Sequence, residues 1–336
     1  RDYENSRNSF QNFRAGKGAA NQTVYARSYY HSAYCAYKIF DFKAAADDFR
    51  IFARDAKTQD PRKADAYLRL GDAYLLTGGY LLASDFYQKA IQVNSVESDY
   101  AHYQRAVCLG LDEKQDEKVL ELKTLLGKYS RSVYAEKAKF ELGLTYLHMD
   151  DYANSLQVFK EFENEYPNSD RLLEVQLKQG LIYSNRDQNE MAITVYKEIV
   201  DKYPGTQKAY EAIRLAEIVY KRERNITAYL DWVATIEFMD IKETALDSTA
   251  YSAAFDIYAE GNYEAAYQSL DNYLSRFPNG VFMQEAQFLA ADAALRTEKK
   301  AEAYTLYAAL EHSNNREYKL AGLPFLAAQD FADSNY

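Results

Sequence analysis

A small side chain recurs along this chain at nearly constant intervals of 36 to 38 residues. A fixed period of this length is typical of an array of similar supersecondary units rather than of one compact domain. Each unit of such an array contacts only its neighbours, so the period constrains the fold more than any other feature. The positions are Ala33, Gly71, Val107, Gly143, Gly180, Ala216, Ala254 and Ala291.

Two further marks accompany each small residue. A second small side chain follows twelve residues later, at Ala45, Ala83, Val119, Ser155, Ala192, Ala228, Ala266 and Ala303. A large side chain follows four residues after that, at Phe49, Tyr87, Lys123, Phe159, Tyr196, Trp232, Leu270 and Tyr307. The third unit fits poorly, because valine and lysine stand where the other units have small and large apolar residues. We therefore predict repeated units, of which the third is degenerate.

The spacing of these marks predicts helical hairpins. Small residues let two antiparallel helices pack closely, since a larger substituent would force their axes apart. The large residue is expected to fill the gap between one hairpin and the next. Glycine marks the turns within hairpins, as at Gly78 and Gly261, and proline ends second helices, as at Pro167 and Pro204.

One window carries all the marks together, at Tyr67, Leu70, Gly71, Tyr74, Ala83 and Tyr87. It resembles the tetratricopeptide repeat (TPR) pattern W-x2-LG-x2-Y…A-x3-F…P, with Tyr in the large positions. The resemblance implies an all-α fold, an α-solenoid that forms a right-handed superhelix of about eight hairpins. The linker Tyr-Pro-Asn-Ser at 166–169 is similar to those of the extended-spacing, envelope-associated TPR subfamily, which includes BamD-like and YbgF-like proteins.

The marks divide the chain into ten segments. Residues 1–23 are interpreted as the second helix of a preceding repeat plus a loop, and 315–336 as the first helix of a further repeat. We therefore expect the parent protein to continue in both directions, and a kink or subdomain boundary at the long junction 236–247. The predicted repeats are 24–60, 61–98, 99–132 (degenerate), 133–169, 170–205, 206–246 (with the longer junction), 247–280 and 281–314.

Composition disfavours several classes of partner. Acidic residues outnumber basic ones by 50 to 40, giving a net charge of −10. A nucleic-acid partner is not expected, because binding to phosphates requires cations that displace counterions. No apolar run approaches the roughly 18 residues of a membrane span, so none is expected in this chain. The two cysteines, Cys35 and Cys108, give no disulfide framework and are predicted to be buried small residues.

No motif carries catalytic or metal-binding chemistry. The histidines, His31, His102, His148 and His312, fall in four different repeats. A zinc site needs three or four ligands at about 2–2.3 Å from the metal, and this spacing does not predict one. Residues 15–18, Ala-Gly-Lys-Gly, lack the spacing of a phosphate-binding loop. We therefore expect no catalytic residue, no metal and no cofactor, and predict that the protein is not an enzyme.

The resemblance also implies that the first helices line a concave groove. The Lys, Asn and Arg residues with which some TPR proteins hold a C-terminal carboxylate are not found in register here. Positions on the first helices are mostly aromatic or aliphatic instead, and tyrosine is favoured at binding hot spots. We predict an apolar groove for a peptide or helix of a partner protein. Its residues are Tyr30, Tyr34, Tyr37, Phe140, Leu144, Leu147, Leu177, Leu181, Tyr220, Tyr251, Phe255, Tyr258 and Phe288.

Other interpretations stay open. The same residues could pack between hairpins and contact no partner, since a tightly wound solenoid buries much of its inner wall. The chain could be the sensor or regulatory module of a larger signalling protein. An enzyme on a helical scaffold and an RNA-binding repeat protein are less favoured by the sequence. The subfamily resemblance implies a periplasmic or outer-membrane-associated protein of a bacterium, and without it the chain would be cytoplasmic.

Overall fold

Helices make up all the regular structure in the described part of the chain, as predicted. The computed structural model describes residues 2–16, 22–57, 60–93, 96–239, 243–313 and 315–333. The helices of the first half are α1 Tyr3–Ala15, α2 Gln22–Lys38, α3 Phe42–Asp55, α4 Arg62–Leu76, α5 Tyr80–Gln92, α6 Ser98–Leu111, α7 Gln115–Lys128, α8 Ala135–His148, α9 Tyr152–Glu165 and α10 Leu172–Asn185. Those of the second half are α11 Asn189–Lys202, α12 Gln207–Arg222, α13 Ile226–Val233, α14 Glu243–Ala259, α15 Tyr263–Arg276, α16 Met283–Arg296, α17 Lys300–Ala309, α18 Arg316–Ala321 and α19 Leu323–Asp333.

The helices α2 to α17 form the predicted hairpins, about eight in number in the described residues, with each even-numbered helix paired to the next. Hairpin 1 is α2 with α3, and hairpin 8 is α16 with α17. The helix α1 packs against α2. Two short helices, α18 and α19, meet at Gly322 where the sequence predicted one. The chain is thus an all-α array of TPR-like hairpins.

The turn inside each hairpin places one residue in the left-handed region. The residue two positions after the end of the first helix has φ between 54° and 81°. The residue that follows it is the N-cap of the second helix. In hairpin 4 the cap Asp151 accepts a hydrogen bond from the backbone N–H of Asn154 at 3.2 Å. The left-handed residues recur every 35 to 38 positions, at Phe40, Gly78, Glu113, Asp150, Asp187, Arg224, Gly261 and Glu298.

The predicted small and large residues contact each other within one hairpin. A Cβ atom on Gly180 would lie 2.5 Å from Cε1 of Tyr196, and one on Gly71 would lie 2.6 Å from Cε1 of Tyr87. The ring therefore occupies the space that the missing side chain leaves. The prediction that the large residue fills the gap between hairpins was incomplete, because the ring packs first on its own hairpin. Tyr87 also reaches the next hairpin, with its ring 6.3 Å from that of Tyr100.

Two hairpins have a register one residue away from the predicted one. In the other six, the small residue lies seven positions before the left-handed turn residue. The same count gives Ala106 and Leu122 in hairpin 3, both buried, in place of Val107 and Lys123. In hairpin 6 it gives Glu217, Tyr229 and Val233, instead of Ala216, Ala228 and Trp232. The long side chain of Lys118 occupies the second small position of hairpin 3, which explains the poor fit of that repeat.

The chain divides into two compact units, Arg1–Val175 and Gln176–Tyr336. The division falls within α10, whereas the sequence predicted a boundary at the junction 236–247, of which 240–242 lie outside the described residues. Lys17 and Gly18 of the glycine-containing loop also lie outside them. No helix in the described ranges combines the length and apolar character needed to cross a membrane.

Candidate functional site

The predicted groove residues occupy three rows on the first helices. Counted from the small residue, the first row lies three positions before it, the second row one position after it and the third row four positions after it. The first row contains Tyr30, Phe140, Leu177, Tyr251 and Phe288. The second contains Tyr34, Leu144, Leu181 and Phe255, and the third contains Tyr37, Leu147 and Tyr258. These rows differ in how much of each side chain a partner can reach.

First-row side chains are mostly buried against the following linker or the second helix. Phe140 and Leu177 are each 3% exposed, and Tyr251 is buried as well. The guanidinium of Arg171 lies 4.8 Å from the centre of the Phe140 ring. The ring of Tyr251 stacks on Phe282 with centroids 4.4 Å apart. Phe140 and Tyr251 therefore pack against the linker to the next hairpin, which agrees with the alternative that the sequence left open.

The tyrosines of hairpin 1 donate hydrogen bonds to a carboxylate of hairpin 2. The hydroxyl of Tyr30 donates to Oδ2 of Asp65 at 2.7 Å, and that of Tyr34 donates to the same oxygen at 2.6 Å. Burial and this carboxylate raise the pKa of Tyr34 to about 12. A hydroxyl already committed to Asp65 is not free to bind a partner. Tyr30 and Tyr34 hold two first helices side by side.

A second carboxylate extends this network through the first unit. Asp72 is 5% exposed, and its Oδ1 accepts hydrogen bonds from the hydroxyls of Tyr87 at 2.8 Å and Tyr100 at 2.7 Å. The guanidinium of Arg69 joins the two carboxylates, at 2.5 Å from Asp72 and 3.4 Å from Asp65. Burial opposes the charge of Arg69, but Asp72 and its other partners outweigh that effect and raise the pKa of Arg69. The network satisfies its own polar groups, so it stabilises the array rather than offering a binding site.

In the third row and in hairpin 6, two predicted tyrosines also have partners within the protein. The hydroxyl of Tyr258 donates to Oδ2 of Asp292 at 2.5 Å. Tyr220 was predicted to line the groove, but it is 6% exposed and packs against Tyr229 of α13, with ring centroids 6.0 Å apart. The register of hairpin 6 lies one residue away from the predicted one, and this shift turns Tyr220 inward. Tyr220 belongs to the interior of its hairpin.

The second row is apolar and accessible in hairpins 5, 6 and 7 of the second unit. Phe255 is 41% exposed and Leu181 is half-buried. The equivalent residue in hairpin 6 is Ile218, which is 56% exposed. Ile218 was not selected from the sequence, because the predicted register of this hairpin differs by one residue from the observed one. The left-handed turn residue Arg224 is the signal that places Ile218 in this row. Leu181, Ile218 and Phe255, hereafter the apolar row, come from three consecutive hairpins.

Polar contacts hold the three first helices of the apolar row next to one another. A guanidinium nitrogen of Arg222, in α12, donates to the backbone carbonyl of Ser184, in α10, at 2.9 Å. Arg224, in the turn after α12, pairs with Glu260, in the turn after α14, at 2.5 Å. Equivalent positions on these helices therefore lie on one continuous face.

Two cations border the apolar row. Lys178 lies three residues before Leu181, and Arg214 lies four residues before Ile218, so each is one helical turn from a member of the row. Arg214 is exposed and Lys178 is half-buried. Among the residues that the structure describes, no carboxylate pairs with either of them. Neither was singled out by the sequence, since an isolated cation on a helix is usually a solvated one.

Hairpin 3 contains a buried polar cluster. Glu121 of α7 bonds Nδ1 of His102 through one oxygen and the guanidinium of Arg105 through the other. The side chains of His102 and Glu121 are 6% and 8% exposed, so a substrate does not reach them. The nearby thiol of Cys108 has its pKa raised to about 12 by burial, which disfavours the nucleophilic thiolate. This cluster is suited to holding helices together.

The remaining candidate residues lie apart. Cys35 and Cys108 are both buried and unpaired, as predicted. His31 and His148 are exposed, and the side chain of His312 lies outside the described residues. Within the described ranges, no three His, Cys, Asp or Glu side chains converge as metal ligands.

Three segments of the chain match family models of the tetratricopeptide repeat. They are residues 64–96 in one model and 137–169 and 174–206 in another. These segments are the hairpins 2, 4 and 5 described above, so the chain contains tetratricopeptide repeats. A comparison with curated protein sequences gives no match.

Solved TPR structures are similar to this chain at low sequence identity. A tetratricopeptide repeat protein from Parabacteroides merdae is 14% identical, with 79% of this chain and 98% of that chain covered and a TM-score of 0.48. The C-terminal part of a TPR repeat-containing protein from Cytophaga hutchinsonii is 13% identical, with 85% and 94% covered and a TM-score of 0.47. YrrB, described as a TPR protein with an unusual peptide-binding site, is 16% identical, with 63% and 99% covered and a TM-score of 0.46.

Proposed function

We propose that this chain is a non-catalytic scaffold for protein–protein interaction whose apolar row binds a peptide or helix of a partner protein. TPR arrays in general support protein interaction, and that coarse role follows from the repeats. The observation that carries the finer proposal is the exposure of Ile218 and Phe255 on neighbouring first helices. Large apolar side chains placed side by side and open to solvent are typical of binding surfaces.

The contrast between the two units supports this choice of surface. In the first unit the second row begins with Tyr34, whose hydroxyl is bonded to Asp65, and continues with the buried Asp72. In the second unit the row is apolar in three consecutive hairpins. Leu144 and Leu147 of hairpin 4 are half-buried and give the first unit a smaller apolar surface. The proposed site therefore centres on Leu181, Ile218 and Phe255.

The test is a display library of random peptides selected against the full chain. We expect the library to yield peptides with spaced apolar residues, which bind the wild-type protein and lose affinity for the double variant Ile218→Ser, Phe255→Ser. Burial of one such side chain contributes about 1.5–3 kcal/mol, so the double change is expected to weaken binding at least tenfold.

A matched control is Val281→Ser, because Val281 is 73% exposed in the second unit but lies in a linker outside the row. This control should bind the selected peptides like the wild type. If the library yields no peptide above background, or if the double variant binds as well as the control, the proposed function fails.

We also propose that the scaffold works in a bacterial cell envelope. The support is the similarity of the 166–169 linker to those of envelope-associated TPR proteins. Fractionation of the native cell with an antibody against the chain tests this location. Recovery in the envelope or periplasmic fraction is expected, and recovery in the cytoplasm alone would contradict it.

A further inference from the structure

We infer that the partner segment bound by the apolar row carries an Asp or Glu side chain among its apolar residues, and that Arg214 recognises this carboxylate. The inference rests on the proposed function and names the chemistry of its partner. It adds a preference for negative charge in the partner, which comes from Arg214 and not from the apolar row.

The other cations on α12 already have partners. Lys208 pairs with Glu211 at 3.0 Å, and Lys221 pairs with Glu217 at 2.8 Å. Arg222 donates to the carbonyl of Ser184. Arg214 therefore differs from its neighbours, because its guanidinium has no carboxylate partner in the described part of the chain.

The position of Arg214 suits a contact with the same segment that covers the apolar row. Arg214 is the first-row residue of hairpin 6, where hairpins 5 and 7 have the buried Leu177 and Tyr251. Its side chain lies one turn from Ile218 on the same face of the helix. Tyr210, four residues earlier and 46% exposed, continues this face. A guanidinium between two apolar contacts forms a strong paired hydrogen bond with a carboxylate once water is excluded.

The carboxylates of the surrounding elements do not neutralise this cation. Glu211 and Glu217 on α12 are paired with lysines. On α14, Asp247 is buried and accepts from the hydroxyl of Tyr273. Asp256 is exposed beside Phe255, so a bound carboxylate would have to avoid it.

The net charge of the second unit does not explain a preference for acidic peptides. Residues 176–336 contain 16 Lys and Arg against 24 Asp and Glu, a net charge of −8. That field repels an acidic peptide at long range, so steering by overall charge does not explain the preference. Direct contact with Arg214 must supply it. The preference is then expected to depend on Arg214 itself and not on the net charge of the protein.

The experiment compares peptide selection by three forms of the full chain: wild type, Arg214→Glu and the control Arg316→Glu, which makes the same charge change on the exposed helix α18. Peptides selected by the wild type and by the control should share an acidic residue between apolar ones. Those selected by Arg214→Glu should carry Lys or Arg there instead. Peptides selected by the wild-type protein should bind the variants Arg214→Glu and Arg214→Gln about tenfold more weakly than they bind the wild-type protein.

The outcomes separate this inference from the proposed function. Peptides with apolar residues but no acidic preference overturn the inference and leave the scaffold role standing. The absence of any selected peptide overturns both. Each selected peptide is also synthesised with an amidated C-terminus. Retained affinity supports a side-chain carboxylate, whereas its loss on amidation assigns the contact to a chain terminus and contradicts the inference.

Discussion

A Cβ atom on Gly71 would lie 2.6 Å from Cε1 of Tyr87, the ring that covers it from the second helix of the same hairpin. Real Cβ contacts are not this short, so Gly71→Ala must displace a fully buried ring. We expect a net loss of about 1–2 kcal/mol in the free energy of unfolding, because overpacking costs more than the gain in helix propensity. Denaturant unfolding of the full chain measures this.

Gly127→Ala is the matched control for that change. Gly127 is also helical, but a Cβ atom there meets nothing within 4 Å. Only the propensity gain remains, so we expect stabilisation of about 0.5 kcal/mol. Equal effects of the two substitutions would show that the contact between Gly71 and Tyr87 does not limit the size of the residue at position 71.

The left-handed turn residues give a second pair of predictions. Gly78 has φ of 80° and open space around its Cβ position, so Gly78→Ala costs only the backbone strain, about 1 kcal/mol. Glu113, at the equivalent turn of hairpin 3, has φ of 60°. The variant Glu113→Gly removes this strain, so we expect it to raise the free energy of unfolding by roughly 0.3 kcal/mol. Thermal unfolding compares both variants with the wild type. Stabilisation by Gly78→Ala would contradict the turn geometry.

We expect the free energy of unfolding to fall at alkaline pH because of the Tyr34 hydroxyl. Burial and the hydrogen bond to Asp65 raise the pKa of Tyr34 from 10.0 to about 12 in the folded protein. The unfolded chain therefore loses this proton at lower pH, and the stabilisation present below pH 10 disappears as the pH rises towards 12. At pH 11 this costs about 1 kcal/mol.

Tyr34→Phe removes that titration. The drop in unfolding free energy between pH 8 and pH 11 should be smaller in this variant by about the same amount. Tyr80, on the second helix α5, has no hydrogen-bond partner among the described residues and serves as the matched site for a Tyr→Phe control. A drop of the same size in Tyr34→Phe and the wild type would contradict the assignment.

Glu121 is expected to be the most sensitive carboxylate of hairpin 3. Its removal in Glu121→Ala leaves His102 and the guanidinium of Arg105 without their acceptor in a buried site. Breaking a buried ionic cluster from one side costs about 3–5 kcal/mol. Glu117→Ala, on an exposed position of the same helix, should change stability by about 0.5 kcal/mol or less. Similar effects in urea unfolding would contradict the structural role of the cluster.

Local spacing was enough to predict the hairpins. Gly71, Gly143 and Gly180 are small because the ring sixteen residues later occupies their space, and both partners belong to one hairpin. In hairpins 3 and 6, Lys118 and Glu217 stand at positions where the other hairpins have small residues, so the predicted register was shifted by one residue. The left-handed turn residues show the correct register in the structure. A shift of one residue changes the face of a helix, and for this reason Tyr220 was predicted for the groove while Ile218 was missed.

The amino-acid sequence by itself determined the class of fold and the number of about eight hairpins. These depend on contacts within one hairpin, and their spacing is written in the sequence. The tertiary structure decided which first-helix side chains are available to a partner. Asp65 takes up the hydroxyls of Tyr30 and Tyr34 from the neighbouring hairpin, whereas Ile218 and Phe255 stay exposed. That outcome depends on how adjacent hairpins stack, which the spacing within one repeat does not encode.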